Sequence, residues 1–317
     1  MTALYISLGV FGGILLILLF TAFICFRFTF YSKRRDPNQL AEYRIPPGKA
    51  YLPFRDEMVA WIQKARALSF IPMEICSHDG LTLRGRYYEK EKGLPIEIQF
   101  HGYRGDSDRD LSGAIFRAFA VDRNALIIDH RGSGKSDGHV TTFGVKETRD
   151  CLAWIEHAIS YFGKDARLHL TGISMGASTV LMASGEKLPP QVKGVLADCP
   201  YSSAKEIIQK VIRDMGLPAS LFYPFVRLGA RLYGGFDPND ASPIEAVKKA
   251  TVPIIFYHGE ADGFVPCDMS ERLYAACASE KKRLITVKDA DHGLAFSVDK
   301  ENYLKTLNEF IEENGMR

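Results

Sequence analysis

The sequence predicts an α/β domain, a mostly parallel sheet with helices on both faces, behind a single N-terminal apolar helix. Three observations predict it. Short apolar runs alternate with stretches of helical period from about residue 73 to 312. The segment from Ala3 to Phe26 carries no charged side chain. Between about 202 and 250 the alternation gives way to helix formers and aromatics, which reads as a helical cap inserted into the domain.

Composition excludes several classes at once. With 317 residues, 46% hydrophobic and 25% charged, the chain is neither disordered nor collagen-like nor a disulfide miniprotein. A formal net charge of +2 supplies no field that would hold nucleic acid, and no nucleic-acid partner is expected.

The uncharged run at 3–26 is long enough to cross a hydrocarbon core of about 30 Å at about 1.5 Å per residue. Arg27, Lys33, Arg34 and Arg35 follow it, and no lysine or arginine precedes it. The positive-inside bias then makes this a single-pass protein of the cell membrane with its bulk in the cytoplasm. A cleaved signal peptide would instead carry its basic residues in front and a small-residue cleavage site behind. Residues 27–72 read as a juxtamembrane linker with Pro37, Pro46, Pro47 and Gly48, containing an amphipathic helix from Met58 to Leu68 that packs on the domain edge. The cysteines at 25, 76, 151, 199, 267 and 277 are scattered singly, so neither zinc nor a disulfide framework is expected.

The domain itself, 73–312, begins with two β-rich runs around Asp79-Gly80, a hairpin signal that supplies an antiparallel edge. Strands follow at Pro95–Phe100, Ala125–Asp129, Arg167–Leu170, Val192–Ala197, Ile254–His258 and Arg283–Val287. Helices are expected at Leu111–Val121, Val145–Tyr161, after Gly176 to about Glu186, near Met269–Ala278, and from about Asp299 to Glu312. Strands joined through helices imply parallel pairing with right-handed crossovers.

One pentapeptide stands out chemically. Gly172-Ile173-Ser174-Met175-Gly176 fits G-x-S-x-G, in which glycines allow a tight strand-to-helix turn that lifts the serine hydroxyl to the sheet's edge. A serine nucleophile needs a histidine to take its proton and a carboxylate to hold the histidine. Asp262 and His292 follow the last two strands, in the order acid then base. Asp198, also after a strand, is a rival for the acid; Asp291 reads as a loop cap, and His130 and His258 as satisfied groups at strand ends. Gly134-Lys135-Ser136 mimics the end of a phosphate-binding loop, but the required glycine five positions earlier is Asp129, and Asp137-Gly138 continues a turn.

These motifs taken together, HGYRG at 101–105, DHRGSGKSDG at 129–138, GISMG, HGEADGFVP and DADHG, resemble the α/β-hydrolase superfamily. They are most similar to its bacterial membrane-anchored serine hydrolases of the serine-aminopeptidase and lysophospholipase-like branch. The resemblance covers about 73–312 and implies an α/β-hydrolase fold, with Ser174 as nucleophile, Asp262 as acid and His292 as base. It further implies an oxyanion hole from the backbone N–H groups of Tyr103 and Met175, with His101 bracing the loop. The expected activity is hydrolysis of a small-molecule or lipid-like carboxylic ester without metal or organic cofactor. Amide or peptide cleavage by the same residues is the alternative, and a non-catalytic membrane-tethered scaffold a more remote one. The inner face of the cap is expected to line an apolar acyl pocket.

Overall fold

The structure, a computed structural model, describes residues 1–32 and 43–317. The basic residues Lys33, Arg34 and Arg35 and the part of the expected linker from 33 to 42 lie outside the described residues. A helix α1 (Thr2–Thr29) is followed by a 3-10 turn at Lys49–Phe54 and by α2 (Arg55–Ala67). The alternation then runs β1 (Ile71–Cys76), β2 (Thr82–Tyr88), β3 (Ile96–Phe100), α3 (Ser107–Ala120), β4 (Asn124–Ile128), α4 (Glu147–Phe162), β5 (Leu168–Ile173), α5 (Met175–Ser184) and β6 (Val192–Asp198). The insertion holds α6 (Ala204–Asp214), α7 (Ala219–Gly229), a π-helical turn at Ala230–Gly234 and the short α8 (Pro243–Ala246). β7 (Ile254–Gly259), α9 (Asp268–Ala276), β8 (Lys282–Val287), the short α10 (Ala295–Val298) and α11 (Lys300–Glu313) close the chain.

The eight strands form one sheet in the order β1-β2-β4-β3-β5-β6-β7-β8. β1 and β2 pair antiparallel, as the Asp79-Gly80 turn predicts, and β2 joins β4 antiparallel; every later pair is parallel. The central strands β3 and β4 are buried at every position, as strands covered on both faces must be. Trp154 of α4, Val180 of α5 and Leu273 of α9 fill one face. Ile115 of α3 and Leu307 and Phe310 of α11 fill the other. This is the α/β-hydrolase fold, and it leaves the loops after β3, β5, β6, β7 and β8 together at one edge of the sheet.

The N-terminal helix is long and apolar enough to cross a membrane, with mean hydropathy 2.6 over its best window. It extends past the uncharged run, and its last turns are not a free tether. Ala22, Phe26 and Phe30 are buried, the two phenylalanines clustering with Tyr223, Val226 and Ala230 of the insertion. Gly229 permits this crossing, because a Cβ there would lie 2.3 Å from the Ala22 carbonyl oxygen. The chain then bridges Tyr31 to Val140 in an antiparallel pairing, so residues expected as linker are part of the folded body.

Candidate active site

Ser174 stands between β5 and α5 at φ 56°, outside the regions that a non-glycine residue prefers. Its flanking glycines are sterically required. A Cβ at Gly172 would sit 2.2 Å from the Gly176 backbone, and one at Gly176 would sit 2.1 Å from the Phe100 carbonyl oxygen. The tight turn is locked by the Ser174 N–H donating to the Asp198 carbonyl at 2.8 Å.

The Ser174 hydroxyl lies 2.9 Å from Nε2 of His292, and Nδ1 of His292 lies 2.7 Å from Oδ2 of Asp262. The structure thus brings together the three residues that the sequence singled out. Oδ1 of Asp262 accepts the N–H groups of Phe264 (2.9 Å) and Val265 (2.8 Å). Burial by itself would raise this carboxyl. Hydrogen bonds from His258, His292 and the Val265 N–H outweigh it and hold the group below the usual carboxylate range. Asp198, the rival acid, is bonded elsewhere: its Oδ2 accepts the Tyr303 hydroxyl at 3.1 Å. Asp291 ties its loop, accepting the N–H groups of His292 (2.7 Å) and Gly263 (3.1 Å).

His258 has a larger part than a satisfied strand-end group. Its ring is fully buried between the Ser270 hydroxyl (2.6 Å) and the Val265 carbonyl (2.8 Å), and Nε2 also lies 3.2 Å from Oδ2 of Asp262. Its place at the end of β7, four residues before Asp262, is the one signal the sequence offers, and it does not say which way the ring turns. His101 braces the loop after β3. Its Nε2 accepts the His130 N–H at 3.0 Å, which makes Nδ1 the donor to the Gly102 carbonyl at 2.7 Å. Gly102 adjoins Ser174, since a Cβ there would be 3.5 Å from the Ser174 Cβ. Tyr103 comes next in this loop, with its hydroxyl donating to the Thr29 carbonyl at the end of α1. Met175 opens α5, where the first N–H groups have no intrahelical acceptor.

The polar groups of the loop DHRGSGKSDG are taken up by other protein groups. Asp129 accepts the N–H groups of Ser107 (2.9 Å) and Lys135 (3.0 Å), and Arg131 forks onto Asp150 (both contacts 2.7 Å) and reaches Asp79 (2.8 Å). The one cluster of described residues with metal-ligand types is Cys199, Asp262 and His292, whose ligand atoms lie within 4.8 Å of one another. Asp262 and His292 are already bonded to each other, and burial pushes the Cys199 thiol well above its ordinary value, which disfavours the thiolate that a metal needs.

A cavity of about 680 Å³ opens over Ser174 and His292. Pro46, Tyr51, Met58, Trp61, Phe264 and Phe296 are among the residues that wall it. No residue of 202–250 lines it, so the expectation that the cap's inner face forms the pocket is corrected. The cap is occupied instead by α1, and the wall is built by the stretch that the sequence assigned to linker and edge helix. Tyr51 donates its hydroxyl to the His292 carbonyl at 2.8 Å, and Trp61 stacks on Phe296 at 5.8 Å between ring centres. The apolar character of Met58 and Trp61 was legible; which way they face was not.

The model of the prolyl oligopeptidase family matches residues 124–315. The Bacillus subtilis protein YqkD is 29% identical over 194 residues, 60% of this chain and 62% of YqkD, so the match spans under two thirds of that relative's length. The Escherichia coli K12 protein YfhR is 26% identical over 234 residues, 71% of this chain and 74% of YfhR. Among solved structures, the Pyrococcus furiosus esterase Pf2001 superposes with TM-score 0.64 at 23% identity, covering 79% of this chain and 93% of the esterase, a likeness of fold.

Proposed function

The chain belongs to the prolyl oligopeptidase family of serine hydrolases, and from that premise we propose that it cleaves carboxylic esters through an acyl-enzyme formed on Ser174. The observation that carries this reading is the unbroken run of hydrogen bonds from Ser174 through His292 to Asp262. His292 Nε2 takes the hydroxyl proton as Ser174 Oγ attacks the acyl carbonyl, and Asp262 stabilises the imidazolium that results. The tetrahedral oxyanion forms beside the N-terminus of α5, where the N–H groups of Met175 and Tyr103 are the donors. His292 then returns the proton to the departing alcohol, and the sequence repeats with water to release the acid.

The aromatic and aliphatic walls of the cavity support an apolar arm on the substrate. Amide cleavage by the same three residues is the second reading, favoured by the family to which the chain belongs. Fluorophosphonate labelling of the full chain, wild type beside Ser174→Ala, tests the nucleophile; labelling that persists in the variant overturns it. A panel of matched p-nitrophenyl esters and p-nitroanilides then separates ester from amide turnover. We place the protein in the cell membrane through α1 with its catalytic domain cytoplasmic. Extracellular signal from a C-terminal reporter fusion would reverse that orientation.

A further inference from the structure

The deep end of the cavity is polar. Asp198, Thr171 and Arg117 line it, and each is at least nine-tenths buried. Oδ1 of Asp198, Oγ1 of Thr171 and Nε of Arg117 have no hydrogen-bond partner among the described residues. A buried polar atom left unpaired costs about 1–3 kcal/mol, so three on one floor are a standing cost unless a ligand meets them.

Register explains why they converge. Ile173 pairs with Asp198 across β5 and β6, and Thr171 lies one pleat from Ile173, so Thr171 and Asp198 project from the same face of the sheet. Arg117 comes from α3, which covers that face, and Tyr303 of α11 fixes the other oxygen of Asp198. Charge on this floor is balanced. Behind the floor Glu97 bonds both Arg117 and Arg123, and Arg117 also acts on Asp198, so the charges here already face opposite partners. An added cation or anion would upset that balance where water screens little. A hydroxyl group carries no charge and both donates and accepts, matching a carboxylate oxygen, a guanidinium N–H and a threonine hydroxyl.

We propose that this floor is a subsite for a neutral, hydroxyl-bearing arm of the substrate, making esters of polyhydric alcohols or of hydroxy acids the preferred class. The inference rests on the serine-hydrolase reading of Ser174. Burial pushes the Asp198 carboxyl up to about 6, still ionised at neutral pH and therefore an acceptor.

The test compares kcat/KM of the full chain for propyl butyrate, 1-monobutyrylglycerol and propyl 3-hydroxybutyrate, which place the hydroxyl on neither arm, the alcohol arm or the acyl arm. One hydroxylated ester should exceed propyl butyrate by about tenfold or more, the factor expected of a buried hydrogen bond at stake. In Thr171→Val and in Asp198→Asn, each first shown to unfold cooperatively, the ratio should fall toward one. Equal kcat/KM for all three esters in the wild type overturns the subsite while leaving the hydrolase intact. A preference that survives in both variants overturns its assignment to this floor. Absence of turnover together with absence of Ser174 labelling overturns both readings.

Discussion

Ser174 is held at its positive φ by two glycines that no other residue can replace without a clash, and the hydroxyl we propose as nucleophile is therefore presented by backbone geometry before any side chain acts. Replacing it with alanine should lower ester turnover by about 10⁴-fold or more while thermal unfolding stays cooperative, measured as kcat on a p-nitrophenyl ester beside a melting curve. His258 is a positioning residue, touching Asp262 rather than substrate. His258→Gln should reduce kcat by about tenfold and leave KM near its wild-type value, because orientation of the acid matters to the transition state more than to binding. Asp262 also carries a pH signature. Its folded-state carboxyl lies below the unfolded value, so its contribution to stability is present above the usual carboxylate range and is lost as pH falls through and below it. The gap in urea midpoint between wild type and Asp262→Asn should therefore narrow as pH falls below about 5 and go on narrowing toward about pH 2. Ser174, Asp262 and His292 were legible because each follows a strand in an order that the chemistry demands. His258 was legible as a strand-end histidine only, since nothing in the linear sequence says that its ring turns toward Asp262.

At the scale of elements, the strand-turn-helix unit at 168–184 was readable from local residues alone. Gly176→Ala tests why: its methyl would meet the Phe100 carbonyl at 2.1 Å, and the loss should be about 3 kcal/mol in chemical denaturation. Helix α2 shows the opposite case. Its amphipathic period was readable, and the helix begins three residues earlier than its apolar pattern, at Arg55. Its role as a pocket wall depends on Gly113 of α3, where a Cβ would come within 2.5 Å of the Trp61 ring, and on Phe296 against the same ring. Trp61→Ala should raise KM for a long-chain ester by about tenfold and change KM for an acetyl ester little, a split that steady-state kinetics on the two substrates reads directly.

At the scale of the whole molecule, the apolar helix and the hydrolase domain are one packed body at their junction. Phe30 is fully buried against Phe143 and Phe236, with ring centres 5.7 and 5.0 Å away. The end of α1 also supplies carbonyl acceptors to the loop beside Ser174, Thr29 to the Tyr103 hydroxyl and Phe28 to the Arg104 guanidinium. Those carbonyls have no intrahelical donor, so the loop's side chains satisfy them. Phe30→Ala in the full chain should cost about 3–5 kcal/mol. A chain starting at residue 43 should melt at lower temperature than the full protein and bind a hydrophobic dye, because it exposes the surface that α1 covers.

The sequence by itself determined the strands and helices of the sheet, its antiparallel edge, the chain order of the Ser174, Asp262 and His292 that we propose as nucleophile, acid and base, and a helix apolar enough to enter a membrane. Each of these is carried by residues close in the chain, through period, turn chemistry or order along the sheet. Tertiary structure alone decided that residues 46–61 wall the cavity, that α1 occupies the cap, and that Thr171, Asp198 and Arg117 meet on one floor. An apolar stripe or a buried polar residue records that a face must be covered or a group satisfied. What covers it is chosen by parts of the chain far apart in sequence, through shape and leftover hydrogen-bonding capacity that no local pattern encodes.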